Sequence, residues 1–290
     1  MTMHLCLNGR IILRERALVS VDDRGFQFGD GIFETLRAYH GRPFHLREHW
    51  HRLLFHARKL RLRVPFTLPA LERAIASLVR RNGLPEATIK IIVTRGVGRG
   101  TAFDGRWTPT WLVSVKPLEI PAPAVYRDGV AVRIPAWRQN AHGLLSHYKT
   151  LNYLERVFTR EQTRALGLYE SIFLNTEGEV AEGTYTNVFL VKRGRIITPH
   201  LGASVLPGVT RQVVLRLCRK ARIPVTERRV MPHDLRTADE IFLTNSLIEV
   251  LPVVRIDGNR VQDGLPGEIT QVLMDSYRVE VAKACERRTK

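Results

Sequence analysis

Residues 146–153 read SHYKTLNY, a polar segment that follows a glycine-containing loop and precedes a predicted helix. Lys149 in this segment is one of only eight lysines among 45 basic residues, so lysine chemistry has few candidates. An amine held near a helix start, among other cations, can have a lowered pKa and act as a nucleophile. We expect the other seven lysines, Lys90 among them, to be solvated. On this segment alone, an ordinary loop lysine is the simpler interpretation of Lys149.

Three segments after Lys149 also combine polar side chains with a predicted strand or helix start. Glu182 enters an apolar strand within VAEGTYTNVFL (180–190), where a lone carboxylate needs a partner, although a hairpin-turn glutamate is the simpler alternative. LPGVTR (206–211) leads into a helix that Thr210 can cap, and amides at such a helix start bind phosphate. TNS (244–246) follows another strand and could donate to a phosphate or form an ordinary turn.

The hydrophobic pattern along the chain predicts mixed α and β structure in two domains. Asn8-Gly9 between two short apolar runs is a hairpin signal. The predicted strands are 5–7, 10–13, 32–39, 89–94, 111–115, 130–134, 171–175, 187–191, 195–198 and 240–244, and the predicted helices are 45–62, 68–82, 153–166, 209–222 and 269–285. Three prolines between Pro117 and Ala124 indicate a stiff linker. The expected domains are therefore 1–118 and 128–290, joined by a linker at 119–127.

Composition narrows the class of protein further. No run of 18 apolar residues is present, and the N-terminus lacks the pattern of a signal peptide. Three cysteines lie far apart with no C-x-x-C pair, which favours a reducing cytoplasm and argues against a disulfide or zinc framework, so we expect no metal. The formal charge of +17 raises the hypothesis of nucleic-acid binding, but the arginines are spread along the chain without a dense basic run. A basic surface that attracts anionic substrates is the simpler interpretation.

The glycine-rich loop after the strand at 89–94 reads GVGRG (96–100) and lacks the G-x-G-x-x-G spacing of dinucleotide-binding folds. We therefore set a dinucleotide fold aside. Arg99 in this loop stays a candidate for binding a substrate carboxylate.

Taken together and in order, six segments resemble the class IV aminotransferases, which are fold-type IV pyridoxal 5'-phosphate (PLP) enzymes. The group includes branched-chain aminotransferases, D-amino acid aminotransferases and aminodeoxychorismate lyase. The resemblance runs from about Asp22 to Val254. Its markers are DRGFQFGDGIFET (23–35), His49-x-x-Arg52-Leu53, Lys149-Thr150-Leu151-Asn152, Glu182-Gly183-Thr184, LPGVTR (206–211) and Thr244-Asn245-Ser246.

The resemblance implies a role for each matching residue. Lys149 would form the Schiff base with PLP, and Glu182 would pair with the pyridine nitrogen so that the ring can act as an electron sink. Leu206 would pack against the ring, and Tyr153 would touch the ring hydroxyl. The phosphate would be held by Arg52, Val209, Thr210 and Ser246, with Asn245 beside them.

The fold that the resemblance implies is a small N-terminal α/β domain and a larger C-terminal domain, with the cofactor at their interface. It also implies a homodimer in which a loop of the partner often closes the site. The candidates for the substrate site are Phe33, Arg37, Arg99 and Arg138.

Two reactions stay open within this family. Phe33-Glu34-x-x-Arg37 is similar to the branched-chain enzymes, whereas the spacing from Lys149 to Asn152 is similar to D-amino acid aminotransferases and lyases. We therefore expect transamination between a D-amino acid or a branched-chain amino acid and a 2-oxo acid. The alternative is aminodeoxychorismate lyase, which releases pyruvate, and a more distant one is a basic nucleic-acid-binding protein.

Overall fold

A computed structural model of the protein describes residues 3–98 and 107–285. The chain folds into two compact units. Within the described residues, the first unit contains 3–98, 107–119, 148–152 and 281–285, and the second contains 120–147 and 153–280. The segment around Lys149 therefore groups with the N-terminal part of the chain, which the continuous domain expected at 128–290 did not anticipate.

The first unit is an antiparallel sheet with helices. Its strands are β1 (His4–Leu7), β2 (Arg10–Leu13), β3 (Gly31–Tyr39), β4 (Arg42–Pro43), β5 (Ala87–Thr94) and β6 (Trp111–Pro117), and its helices are α1 (Arg24–Phe28), α2 (Leu46–Lys59) and α3 (Leu68–Asn82). The strands lie in the order β2-β1-β6-β5-β3-β4. Asn8 and Gly9 both have positive φ, 50° and 86°, as a two-residue hairpin turn of this type requires, so the predicted hairpin is confirmed.

Period-two alternation sorts the side chains of β3 onto two faces. Ile32, Leu36 and Ala38 are fully buried in the core, which also contains apolar residues of α2 and α3. Glu34 lies in the same alternation and is also fully buried. Because a buried carboxylate is costly without partners, this residue marks a specialised part of the core.

The segment before β3 is tied to the end of β5. The Asp23 carboxylate accepts hydrogen bonds from the Gly25 amide at 2.7 Å and from Thr94 Oγ1 at 2.9 Å. A Cβ at residue 25 would lie 2.2 Å from Thr94 Cγ2, so only glycine fits there. Asp30 accepts from Arg95 Nε at 2.8 Å. The D-R-G-F-Q-F-G-D-G pattern is thus explained by local packing that sets the start of β3.

The second unit is built on a nine-stranded mixed sheet. Its elements are α4 (Pro123–Asp128), β7 (Val130–Arg133), α5 (Leu154–Ala165), β8 (Glu170–Leu174), β9 (Val180–Gly183), β10 (Asn187–Lys192), β11 (Arg195–Pro199), α6 (Val209–Lys220), β12 (Val225–Arg228), α7 (Pro232–Arg236), β13 (Glu240–Asn245), β14 (Glu249–Ile256), β15 (Asn259–Arg260) and α8 (Glu268–Cys285), of which residues 281–285 belong to the first unit. The order is β12-β11-β10-β13-β14-β7-β8-β9, with β15 beside β14. The mixed α/β class predicted from the sequence is confirmed.

Two local features differ from what the sequence suggested. Helix α4 begins at Pro123, inside the expected linker at 119–127, because proline is well suited to the first turn of a helix. Helix α6 is capped by Gly208, not by Thr210, which lies within the first turn and makes no side-chain cap. Across residues 3–98 and 107–285, none of the helices is both long enough and apolar enough to span a membrane.

Candidate active site

The Lys149 segment extends the sheet of the first unit. Phe33 N donates to the Lys149 carbonyl at 3.0 Å, and Leu151 N donates to the Gly31 carbonyl at 2.9 Å. Strand β4 pairs with β3 only at Ala38 and Tyr39. The rest of that edge of β3 therefore pairs with the Lys149 segment. The Lys149 Nζ atom then lies 4.4 Å from the centroid of the Phe33 ring. Main-chain pairing, which is more rigid than a loop, therefore positions this amine.

A second lysine lies against the same aromatic ring. Lys90 is in β5, directly opposite Thr35 of β3, and its Nζ is 4.9 Å from the Phe33 ring centroid. Burial lowers the pKa of Lys90, and the nearby Lys116 lowers it further. The expectation that Lys90 is solvated is therefore wrong. Two amines, from Lys90 and Lys149, share one aromatic surface.

A buried charged cluster lies on the opposite face of β3. Glu34 accepts hydrogen bonds from Arg52 Nε at 2.8 Å and Arg52 Nη2 at 2.6 Å. His49 Nδ1 lies 2.7 Å from Oε2 of the same carboxylate. Burial by itself would raise the pKa of Glu34, but Arg52 and His49 hold it well below its usual range. The two bonds to Glu34 fix the plane of the Arg52 guanidinium.

His56, one turn after Arg52 on α2, joins this cluster to the Lys149 segment. Its Nδ1 accepts a hydrogen bond from the Lys149 main-chain N–H at 3.3 Å, and its ring contacts Tyr148 edge-on. Burial, with the positive charge of Arg52 adding to it, lowers the pKa of His56 to about 4. The imidazole is therefore neutral near pH 7, and its proton lies on Nε2.

In the second unit, Glu182 is a buried carboxylate with three donors. Arg156 Nη2 donates to Oε1 at 2.7 Å, while Asn187 Nδ2 and the Leu206 amide both donate to Oε2 at 2.9 Å. The residue lies in strand β9 and is buried. Strand geometry, and not a hairpin turn, therefore presents this carboxylate.

Tyr153 precedes α5 and lies near this carboxylate. Its hydroxyl donates to the Thr184 carbonyl at 3.4 Å, and its ring lies 5.4 Å from that of Tyr185. Burial raises the pKa of Tyr153 to about 12, and Arg156 partly opposes the shift. The phenol is therefore protonated at physiological pH and can donate a hydrogen bond.

A second buried carboxylate, Glu170 of β8, shapes the loop that follows Glu182. It accepts from Thr184 Oγ1, from Thr186 Oγ1 at 3.3 Å and from the Tyr185 amide at 3.3 Å. A Cβ at Gly183 would lie 2.1 Å from Thr186 Oγ1, so glycine is needed there. The buried Glu170 carboxylate therefore fixes the conformation of the loop after Glu182.

The start of α6 lies close to the same group of residues. A Cβ at Gly208 would lie 1.9 Å from Asn187 Oδ1, so the glycine allows close approach of the helix start. Val209 and Thr210 are buried in the first turn, whose amides have no partner within the helix. These positions suit a small anion.

The T-N-S segment ends β13 in a side-chain-stabilised turn. Asn245 Oδ1 accepts from the amides of Leu247 and Ile248, and its Nδ2 donates to the Tyr185 carbonyl at 3.2 Å. Asn245 is therefore engaged in the turn. The neighbouring Thr244 hydroxyl is buried and has no hydrogen-bond partner among the described residues. Ser246 is half-buried.

The candidate substrate residues lie in different surroundings. Phe33 forms the aromatic surface described above. Arg37 donates to Glu86 at 3.3 Å and stacks on Tyr39, with 4.1 Å from its guanidinium carbon to the ring centroid. Arg138 is exposed in the second unit. Arg99 lies outside the described residues.

Comparison with known proteins identifies the family. The family model for class IV aminotransferases matches residues 31–256, so the chain belongs to that family. It is 37% identical to a Methanocaldococcus jannaschii protein provisionally named a branched-chain-amino-acid aminotransferase, over 95% of this chain and 96% of that one. It is 32% identical to the D-alanine aminotransferase of Listeria monocytogenes, over 98% of each chain.

Solved structures agree with this assignment. The branched-chain amino acid aminotransferase of Escherichia coli superposes with a TM-score of 0.92 at 26% identity, covering 100% of this chain and 98% of that one. A Legionella pneumophila protein provisionally named a 4-amino-4-deoxychorismate lyase superposes with a TM-score of 0.85 at 25% identity, covering 92% and 97%. The fold-type IV assignment made from the sequence is confirmed.

Several residues of the candidate site were not predicted from the sequence. They are Glu34, His56, Lys90, Arg156 and Asn187. Sequence signals existed for two of them. Glu34 is a lone acid within an apolar strand, and Arg156 is three residues after Tyr153, which places both on one face of a helix. Lys90, His56 and Asn187 gave no such signal.

Proposed function

We propose that this chain is a PLP-dependent aminotransferase that moves an amino group between an amino acid and a 2-oxo acid. The observation that carries the proposal is the Lys149 amine, held over Phe33 by main-chain pairing with β3 in a chain of the class IV family. A fixed amine beside an aromatic surface suits attachment of a flat aldehyde.

The residues present fit PLP. A carboxylate accepts about four hydrogen bonds, and the three protein donors to Glu182 leave one position for a protonated pyridine nitrogen. The first turn of α6, at Val209 and Thr210, together with the unpartnered Thr244 hydroxyl, suits the phosphate group. Both features belong to the second unit.

Several side chains would hold the cofactor and act on the substrate in this proposal. When bound, PLP supplies an electron sink for charge developing at the substrate's Cα. Lys149 Nζ would hold PLP and would move the proton at the substrate's Cα. Arg52, oriented by Glu34, would bind the phosphate, as would Val209, Thr210 and Ser246.

The remaining contacts orient the ring. Tyr153 would touch the ring hydroxyl, and Leu206 would pack on the ring while its amide orients Glu182. Asn245 holds the turn that presents Ser246. Its role is to shape the phosphate site.

Lys90 is the side chain that best suits a substrate carboxylate. It lies against the ring of Phe33, and no acidic side chain in residues 3–98 or 107–285 pairs with it. A half-buried ammonium favours an anion nearby. Arg37, by comparison, already pairs with Glu86. Arg99 and Arg138 stay weaker candidates for the same group.

The proposal includes a homodimer in the cytoplasm. Leu18, Val21 and Phe26 are 84%, 71% and 76% exposed, an unusual set of apolar side chains for solvent. A second copy of the chain would bury them. Cys6, Cys218 and Cys285 are free and buried, which suits a reducing compartment. Sedimentation equilibrium of the purified protein tests the dimer.

A half-reaction tests the function directly. The PLP-loaded protein is mixed with D-alanine, L-leucine or L-glutamate, without an acceptor, and the cofactor spectrum is followed. A transaminase converts the cofactor to its pyridoxamine form, and a 2-oxo acid reverses the change. A lyase leaves the cofactor in its aldehyde form and releases pyruvate from aminodeoxychorismate. No conversion with any donor, together with pyruvate release, would replace the proposed function by the lyase.

A further inference from the structure

Glu182 has a cationic partner supplied by the protein itself. Arg156, in the first turn of α5, donates from Nη2 to Glu182 Oε1 at 2.7 Å. Both side chains are largely buried, at 15% and 3% exposure. Of the ion pairs formed by the described residues, this is the one that contains Glu182. It requires no bound cofactor.

The same guanidinium is also attached to the main chain beside Glu182. Arg156 Nη1 donates to the Gly183 carbonyl at 3.0 Å and to the Thr184 carbonyl at 3.2 Å. Burial by itself would lower the pKa of Arg156, but the charge of Glu182 outweighs that effect and raises it. Arg156 therefore holds both the carboxylate and the loop that follows it.

We propose that Arg156 is a positioning residue that holds Glu182 aimed at the pyridine nitrogen of PLP. The inference rests on the proposed function. Glu182 Oε2 accepts two neutral donors, Asn187 Nδ2 and the Leu206 amide, whereas Oε1 accepts one bond, from Arg156. Arg156 therefore fixes the direction of Oε1 and leaves one acceptor position on that oxygen for the cofactor.

Other charged and polar groups surround this pair. Tyr153 and Glu155 lie at the start of α5, Tyr185 lies in the loop after β9, and Glu170 of β8 pairs with Arg160 at 3.3 Å. The positive charge of Arg160 pairs with Glu170 and not with Glu182. Loss of Arg156 therefore leaves Glu182 with Asn187 and the Leu206 amide, which are neutral donors.

A set of five variants tests the inference through PLP affinity, measured by equilibrium dialysis at pH 7. The variants are Arg156→Gln, Arg156→Lys, Glu182→Gln, the double variant Arg156→Gln/Glu182→Gln, and Arg164→Gln as an exposed control on the same helix. We expect Arg156→Gln to weaken PLP binding about tenfold, in the range of coupling between contacting groups. Arg156→Lys, which keeps the charge, should stay within about threefold of the parent, because it loses only the guanidinium's extra donors.

The double variant separates positioning from a purely structural role. If Arg156 acts through Glu182, Arg156→Gln should change PLP affinity less than about twofold in the Glu182→Gln background. An effect of Arg156→Gln that persists in that background, or parent-like affinity in the single variant, overturns the inference. If Arg156→Gln does not fold, Arg156→Lys decides, and a tenfold loss of PLP affinity there is the contrary result. Failure of the parent protein to bind PLP would instead refute the proposed function.

Discussion

The imidazole of His56 accepts a hydrogen bond from the main-chain N–H of Lys149, with 3.3 Å between the two nitrogens. The pKa of His56 is about 4 in the folded protein, against 6.5 for a free imidazole, because burial disfavours the protonated ring. As the pH falls from 7 to 4.5, the unfolded chain binds a proton at this residue that the folded chain does not. The free energy of unfolding should drop by about 2–3 kcal/mol from this group.

The variant His56→Gln tests this pH dependence, because glutamine can accept the same bond but does not titrate. Urea unfolding at pH 7, 6, 5 and 4.5 should show a shallower decline than in the parent. His51→Gln, an exposed histidine on the same helix, serves as the control. Identical pH slopes in His56→Gln and the parent would contradict the prediction.

Glu34→Gln should destabilise the protein strongly, because Arg52 would be left buried without its counter-charge. The expected loss in the free energy of unfolding at pH 7 is about 3–5 kcal/mol. Since the pKa of Glu34 is depressed, the stabilisation is present above about pH 4.5, near its ordinary pKa, and is lost at lower pH, so the difference from the parent should narrow there. The exposed Glu72→Gln should change stability by less than about 0.5 kcal/mol. If Glu34→Gln changed stability as little as Glu72→Gln, the stabilising role of the ion pair between Glu34 and Arg52 would be refuted.

Lys149 should be the residue that carries PLP. Borohydride reduction of the PLP-loaded protein, followed by peptide mapping, should find the label on Lys149 and none on Lys90, although both amines lie against Phe33. The main-chain pairing of Lys149 with β3 is the reason for this preference. Lys149→Ala should remain folded and lose turnover. A label on Lys90 would reverse the two assignments.

Lys90→Met should weaken binding of 2-oxo acids without removing the cofactor. Loss of a charge-assisted bond to a carboxylate should raise KM for 2-oxoglutarate about tenfold, while kcat changes much less. Lys116→Met, an exposed lysine on the neighbouring strand, is the matched control. An unchanged KM in Lys90→Met would move the carboxylate site to Arg37, Arg99 or Arg138.

The charge of +17 should produce only weak association with nucleic acid. Several arginines are engaged in internal ion pairs, including Arg52, Arg95 and Arg156. Binding to random duplex DNA should therefore be independent of sequence and fall steeply with salt. Fluorescence anisotropy at 50 mM and at 200 mM salt measures this. Tight, sequence-selective binding at the higher concentration would revive the nucleic-acid hypothesis.

Local features of this chain were predictable from the sequence because their causes are local. The hairpin at Asn8-Gly9 and the amphipathic helices α2, α3 and α5 follow from turn chemistry and periodicity. Lys149 and Glu182 could be proposed as site residues because each lies in a short motif whose order along the chain resembles one family. The short helix α1 and strand β9 were missed, since each is fixed by capping and strand pairing that periodicity does not show.

The surroundings of those residues depended on the tertiary structure. Lys149 pairs with Phe33 across 116 positions of the chain, and Arg156 meets Glu182 across 26. Lys90 looked like an ordinary strand lysine, yet the sheet register sets it on the same aromatic ring as Lys149. The order and spacing of the motifs determined the family and pointed to the residues proposed to react. Which charges neutralise one another, and which amine is held rigidly, was decided by the fold, because burial and long-range contacts exist only once the chain has folded.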